Sequence, residues 1–533
     1  MPSSYAERAQ NATVCAHNPP SARNTIGSMD LVRTAAAVTA FSAAEHCLGF
    51  LYRILLSRTL GAEGLGRYQM ALTVFSVLVT LCASGIPVTL SRTVAAHRTR
   101  GDVRAGRSAV TAAVLLALGA ALPIALLLFC FRPLLAGVFS DTGAENLFFI
   151  LLPGLPFTAV YAVIRGSFWG EKRFFMYSFV ELFEETAMIA AGTVLLVLVS
   201  LALPRENLAA GAVLLSHLCS FGLALGYFFA RGGSFRTPKG QLRPLLTASL
   251  PVTAMRASSS AVHTLVSVLF PLRLAAAGAT SAAAMSEYGI FYGMVMPVMM
   301  IPATFVSSMA LVLVPEFSEC AARGERETLS RLTEKALRAA LLIAGVLLPL
   351  YAVLGRDLGI LLYDSPKSGI LLSIGSVLLL PMSVTMISSS LLNSLRCEKQ
   401  TLLIFLAGAG AMLLSVFFLT GKIAGGALLA GMAGEYALSA ILSLGVLKKR
   451  TGRLCSGVFL LRLLAAAGGA VLAGLLIRSV CFRFFGFFPA LVLTFLLLAA
   501  AEAALFWLLR LIRPETLAGL FLRRRRKQAA KLP

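Results

Sequence analysis

Charge is scarce in this sequence. Of its 533 residues, 13% are Asp, Glu, Lys or Arg, about half the ~25% of soluble domains. That shortage excludes a disordered chain, a collagen-like repeat and an ordinary cytosolic enzyme as readings of the whole. Acid is scarcer than base: 24 Asp and Glu stand against 47 Lys and Arg, a formal net charge of +23. The nine cysteines include no C-x-x-C pair, and no Cys or His spacing suits zinc. Cys47, Cys82, Cys130 and Cys219 fall inside apolar runs and read as small hydrophobes. Residues 1–28 carry Pro19-Pro20 and lack the apolar core of a secretory signal, so they read as a disordered cytoplasmic leader. Ten-residue alternating patterns are also missing, which sets aside a lipid-facing barrel.

Apolar length is abundant. Hydrophobic residues make up 58% of the chain, in runs that reach the ~20 residues a helix needs to cross a bilayer. The expected fold is an all-α integral membrane protein with about 14 transmembrane helices. Two parallel six-helix lobes, 29–231 and 232–450, precede two C-terminal helices in 451–512 and a basic cytoplasmic tail, 513–533. The fifth and sixth spans part near Pro204-Arg205-Glu206, the eleventh and twelfth near Gly421-Lys422. Most basic residues fall in the leader, the even-numbered loops and the tail if both termini are cytoplasmic. The excess of +23 is therefore a positive-inside signal, with no need for nucleic acid. The tail run Arg523–Arg526 with Lys527 suits anionic inner-leaflet lipid.

The two lobes come from an internal repeat. At an offset of 223 residues, Gly66-Arg67-Tyr68 falls on Gly289-Ile290-Phe291, and Ala95–Asp102 falls without a gap on Ser318–Glu325. Six spans per copy is an even number, so both copies enter from the same side. Such repeats suit alternating access, with a site between the lobes.

Charges inside spans are costly and mark candidate function. In the seventh span Arg256, Ser260, His263 and Ser267 share one helical face. This face either lines a cavity where Arg256 binds phosphate, or glues the bundle by ion pairing. The first span offers Glu45, His46, Gly49 and Arg53; Arg53 either binds an anion or snorkels to the interface. Arg92 and Arg165 lie toward the cytoplasmic ends of their spans, as a cationic entrance or as positive-inside markers. Glu181, Glu184 and Glu185 form an acidic face that must point inward, to pair with Arg165 or Arg92 or to take up a coupling cation. Glu435 and Glu502 are lone embedded acids. Ser388, Ser389, Ser390, Asn393 and Ser394 either let helices pack or hydrogen-bond a sugar. His217 stands alone.

Several motifs in order carry a family resemblance. Leu48–Ile54 followed by Leu60–Gln69, then Gly85-Ile86-Pro87-Val88, then Arg165-Gly166, Gly170 and Glu184, resemble the polysaccharide flippases that include stage V sporulation protein B. Pro271, Arg273 and Leu274, with Tyr288-Gly289, Gly293, Pro297, Pro302 and Val314-Pro315, resemble the same family. The chain departs from it in the long leader and in Glu171-Lys172-Arg173. The resemblance implies the multidrug/oligosaccharidyl-lipid/polysaccharide exporter fold, similar to the lipid II flippases. It implies a bacterial plasma-membrane protein, not an enzyme, that moves an undecaprenyl-pyrophosphate-linked oligosaccharide from inner to outer leaflet by alternating access, for spore cortex or cell wall. The substrate would meet Arg53, Arg92, Arg165, Arg256, Ser260, His263 and Asn393. Coupling would fall to Glu45, Glu181, Glu184 or Glu435, with protons, Na+ or the membrane potential in place of a cofactor or metal. A monomer is expected, with membrane lipids and a cell-wall polymerase as partners. The alternatives are a cation-coupled multidrug exporter of the same superfamily and a non-transporting scaffold in cell-wall assembly.

Overall fold

The computed structural model describes residues 24–135, 137–198, 203–238 and 240–511. Most of the leader and the basic tail 513–533 lie outside the described residues. Residues 24–28, expected in the disordered leader, instead begin a helix. No proline stands between Pro20 and the first apolar run, so nothing stops that helix from propagating backward.

Every regular element described is helical. Lipid dictates this: without water, each segment must satisfy its own backbone N–H and C=O groups. Helix α1 (Asn24–Ala83) breaks at Gly61 (φ 68°, ψ −177°) into two rods. There follow α2 (Gly85–Thr99), α3 (Val103–Cys130), α4 (Thr142–Gly170), α5 (Phe174–Leu198) and α6 (Arg205–Ala230). Next come α7 (Leu242–Ala276), α8 (Ser281–Met299), α9 (Ile301–Ala322), α10 (Arg326–Tyr363) and α11 (Pro366–Ser394). Last are α12 (Glu398–Ile423), α13 (Gly426–Thr451), α14 (Gly457–Phe484) and α15 (Phe487–Leu508). Local chemistry sets several ends. Asp102, Asp141 and Ser456 accept from the backbone N–H groups of Ala105, Ala144 and Phe459, capping α3, α4 and α14. The α12–α13 break falls at Ala424 (φ 46°), just beyond the expected Gly421-Lys422.

Among the described residues, eleven helical runs are long and apolar enough to cross a membrane, or twelve if the 44° bend between α8 and α9 makes one broken span. This multi-pass architecture falls short of the expected fourteen by that measure, for two physical reasons. Both rods of α1 join α2 in a single run, Val38–Thr99. Helix α5, outside the eleven, carries the three glutamates of its acidic face.

Sequential neighbours α5/α6, α10/α11, α12/α13 and α14/α15 pack along each other, and α14 docks on α10. The outer faces of α14 and α15 expose Leu461, Leu472, Leu476, Phe484 and Trp507. In water such a face would be a sticky patch; in a bilayer it meets lipid tails.

The repeat is visible as a contact. The second rod of α1 lies against α8, and a Cβ on Gly66 would collide with the carbonyl oxygen of Met285. A Cβ on Gly289 would likewise collide with the carbonyl oxygen of Ala62. The pairs 62/285 and 66/289 both obey the 223-residue offset. Each rod thus lays its bare glycine on the same carbonyl of its counterpart. A π-helical turn, Gly289–Val295, begins at this contact.

Candidate functional site

Embedded charge collects where α1, α4, α5 and α6 meet. Arg165 on α4 donates to Glu181 of α5 at 2.8 Å, and its guanidinium lies over the rings of Tyr177 and Tyr161, 4.7 and 5.5 Å from their centroids. The two charged side chains are 23% and 31% exposed, so the pair is sheltered but reachable. One turn on, Glu184 lies 3.5 Å from His217 of α6, whose ring stacks on Phe75. Glu185 fills the space over the bare backbone of Gly49 on α1. Glu45, one turn before Gly49, senses the charges of Glu181, Glu185, Arg165 and Glu184. Arg53, one turn after Gly49, is exposed and within electrostatic reach of Glu185. Four carboxylates thus stand near two guanidinium groups, of which only Glu181 and Arg165 are joined directly.

Helix α7 brings a third arginine. Arg256 is exposed and donates to the carbonyl oxygen of Ser84 at 3.4 Å, at the break between α1 and α2. Arg165 lies over the Tyr177 ring, and Glu181, Glu45 and Arg256 are within electrostatic reach of the same residue. Ser260 follows on the same face, half-buried. His263 lies 6.3 Å from the ring of Phe405 on α12. Ser267 leaves the stripe: it is buried and accepts from the Tyr288 hydroxyl at 2.6 Å.

The remaining candidates stand apart. Glu435 on α13 packs on bare Gly408 of α12, within electrostatic reach of Tyr292 and Tyr436. Arg92 on α2 and Asn393 at the end of α11 are exposed. No side-chain hydrogen bond or ion pair joins either one to the central group among the described residues. Glu502 on α15 is 6% exposed, with one carboxylate oxygen lacking a partner.

A second polar cluster escaped the sequence. Near the Gly66–Gly289 contact, Arg67 donates to both Asp141 oxygens at 2.8 and 3.3 Å. It also pairs with Glu63 at 2.6 Å and Glu206 at 3.3 Å. Ser281, at the start of α8, donates to Asp141 at 2.8 Å. Arg58 crosses the same seam to the carbonyls of Leu361 and Leu362. Burial alone would raise the Asp141 carboxyl. The hydrogen bonds from Arg67, Ser281 and the Ala144 N–H, with the Arg67 charge, outweigh it and hold the group below the ordinary carboxylate range. Arg67 and Asp141 are 74 residues apart, so no local pattern announces them. The available signal was Arg67 beside Gly66, the glycine that the repeat places on Gly289.

Comparison with known proteins fits this architecture. Residues 31–321 match the family model described as polysaccharide biosynthesis protein. Stage V sporulation protein B of Bacillus subtilis (strain 168) is 26% identical over 343 residues, which cover 61% of this chain and 65% of that relative's length. Among solved structures, the lipid II flippase MurJ in an inward closed conformation superposes with a TM-score of 0.68 at 13% identity, covering 88% of this chain and 99% of that one. An inward-facing multidrug resistance MATE family transporter of the MOP superfamily gives 0.66 at 16% identity, over 76% and 94%. At such identities these neighbours speak for the fold alone. With more than half of its length inside the family model, this chain belongs to the polysaccharide biosynthesis protein family.

Proposed function

We propose that the protein moves a polyprenyl-pyrophosphate-linked oligosaccharide from the inner to the outer leaflet by alternating access of its two repeated halves. The observation that carries this is a pair of embedded arginines, one from each repeat: Arg165, held over Tyr161 and Tyr177, and Arg256, which reaches the Ser84 carbonyl on the facing repeat. An embedded arginine is retained at high cost, and its planar donors fit phosphate oxygens while keeping their charge. Ser260 and His263 continue the α7 face toward the sugar, and Arg53 and Arg92 extend the positive lining. The acidic group of Glu45, Glu181, Glu184 and Glu185, or Glu435 in the second repeat, takes up the coupling proton or Na+. Both termini lie in the cytoplasm of a bacterial plasma membrane. The protein works as a monomer beside a cell-wall polymerase, with the polyprenyl tail left in lipid along α14 and α15.

The test is reconstitution in liposomes with a labelled undecaprenyl-pyrophosphate sugar. Transbilayer movement is expected for the native protein. Arg256→Ala is expected to lose it while still inserting; full movement by that variant would overturn the phosphate assignment. A cation-coupled multidrug exporter is the second reading, favoured by the excess of carboxylates over guanidinium groups near Glu45. Under that reading, cationic dye efflux would persist with no movement of the labelled lipid.

A further inference from the structure

A separate basic cavity lies at one end of the first repeat, among the ends of α2 and α6, the start of α3 and the α4–α5 turn. It has a volume of about 370 Å³. Arg98, Arg107, Arg173 and Arg231 line it against two acids, Asp102 and Glu171. Both acids are already engaged. Asp102 caps α3 through the Ala105 N–H, and Glu171 pairs with Arg173 at 2.9 Å. Arg98 donates to the Glu171 backbone carbonyl. Among the described residues, Arg107 and Arg231 have no carboxylate partner. The cations are also pre-positioned: Arg173 and Arg231 both lie over the ring of Tyr227, 5.8 and 5.6 Å from its centroid.

The other wall is apolar, made by Val94, Val103, Val110 and Phe228. Phe228, Phe229 and Phe235 form a ring cluster beside it, and exposed Trp169 meets Phe174 edge to face across the neighbouring turn. Aromatic side chains of this kind gather at the boundary between bilayer and water. A cavity cationic on one side and apolar on the other, at that boundary, matches a phosphodiester joined to acyl chains. A free phosphate would have no use for the apolar wall. Basic pockets between transmembrane helices on the cytoplasmic side take anionic lipid headgroups by this physics.

We infer that this cavity holds the phosphate of one anionic membrane phospholipid, bound as a resident lipid and not transported. Arg107 and Arg231 supply the unspent charge, and Tyr227 fixes the Arg231 guanidinium. The site lies on the side assigned above to the cytoplasm, but its chemistry requires only a leaflet containing anionic lipid.

The test reads lipid retention, which needs no transport. The native protein is exchanged into vesicles of phosphatidylcholine with a minor share of phosphatidylglycerol, then extracted and analysed by native mass spectrometry. A phosphatidylglycerol adduct is expected. Arg107→Ala/Arg231→Ala should weaken it by about tenfold or more, while Arg107→Lys/Arg231→Lys should keep most of it. Unchanged retention in the alanine variant would overturn the site. Displacement of the lipid by millimolar inorganic phosphate alone would reassign it to soluble phosphate and overturn the lipid proposal. Because the readout is binding, it stands or falls independently of the flippase reading.

Discussion

At Gly66 and Gly289 one missing methyl group on each side sets how close two helices come. A Cβ at either position meets a backbone carbonyl, and backbone cannot rotate away as a side chain can. Overpacking of this kind costs about 1–3 kcal/mol, enough to shift a two-state closure by roughly fivefold or more. Gly66→Ala is therefore expected to open the seam. Ser57 lies beside that seam and is 2% exposed. In a background lacking the native cysteines, thiol labelling at Ser57→Cys should rise when Gly66→Ala is added; unchanged labelling would show that the glycines do not control closure. Arg67 acts beside them by charge. Its removal leaves Asp141, with a side chain 5% exposed, as a buried carboxylate without its cation, a loss of about 3–5 kcal/mol. Arg67→Ala should unfold at lower temperature in detergent, and adding Asp141→Asn should restore part of the loss. The pH dependence follows from the lowered Asp141 carboxyl. Its contribution is complete above the ordinary Asp pKa of ~3.9 and fades as pH falls through its lower folded value. The stability gap between the native protein and Arg67→Ala should hold steady from about pH 8 to 5 and narrow only in stronger acid.

At the scale of elements, the spans were legible because lipid enforces one pattern: long apolar runs closed by polar turns. The same logic shows where legibility stops. The acidic stripe of α5 was readable as a face, since i, i+3 and i+4 spacing is a property of one helix. Arg165 was among the partners the sequence offered, and it pairs with Glu181; His217, which reaches Glu184 from another helix, was not. The tie between α14 and α10 is another such case. Arg478 grips Asp357 with two hydrogen bonds, 2.6 and 2.9 Å, across 121 residues of sequence. Asp357 is 3% exposed, and the pair pins the C-terminal helices to the body. Arg478→Ala strands a buried carboxylate and should lower thermal stability by about 3–5 kcal/mol. Arg478→Ala/Asp357→Asn should recover much of that. If both variants unfold like the native protein, α14 is held by apolar packing alone. The sequence separates the first two spans, whereas the structure carries both in one helical run that is divided only by the left-handed φ of Gly61.

For the whole molecule, the 223-residue repeat matters most where its copies touch. Ala62 meets Gly289 and Met285 meets Gly66 through equivalent atoms, so the contact sits on the axis that relates the halves. A contact on such an axis can part without favouring either copy, as rocking of two repeats about a central site requires. The polar links beside it, Ser281 to Asp141 and Arg58 to Leu361 and Leu362, all join one repeat to the other. Opening this side therefore means breaking a small, defined set of bonds. The proposal that the halves rock follows, and it is tested by tethering them here. Ala62→Cys/Met285→Cys, joined by a short thiol cross-linker that a reductant can cleave, should fold and insert normally but move no labelled lipid. Cleavage should restore movement to the level of the uncross-linked variant. Movement that continued in the cross-linked protein would mean that substrate crosses without separation of the repeats at this seam, and the rocking mechanism would have to be abandoned.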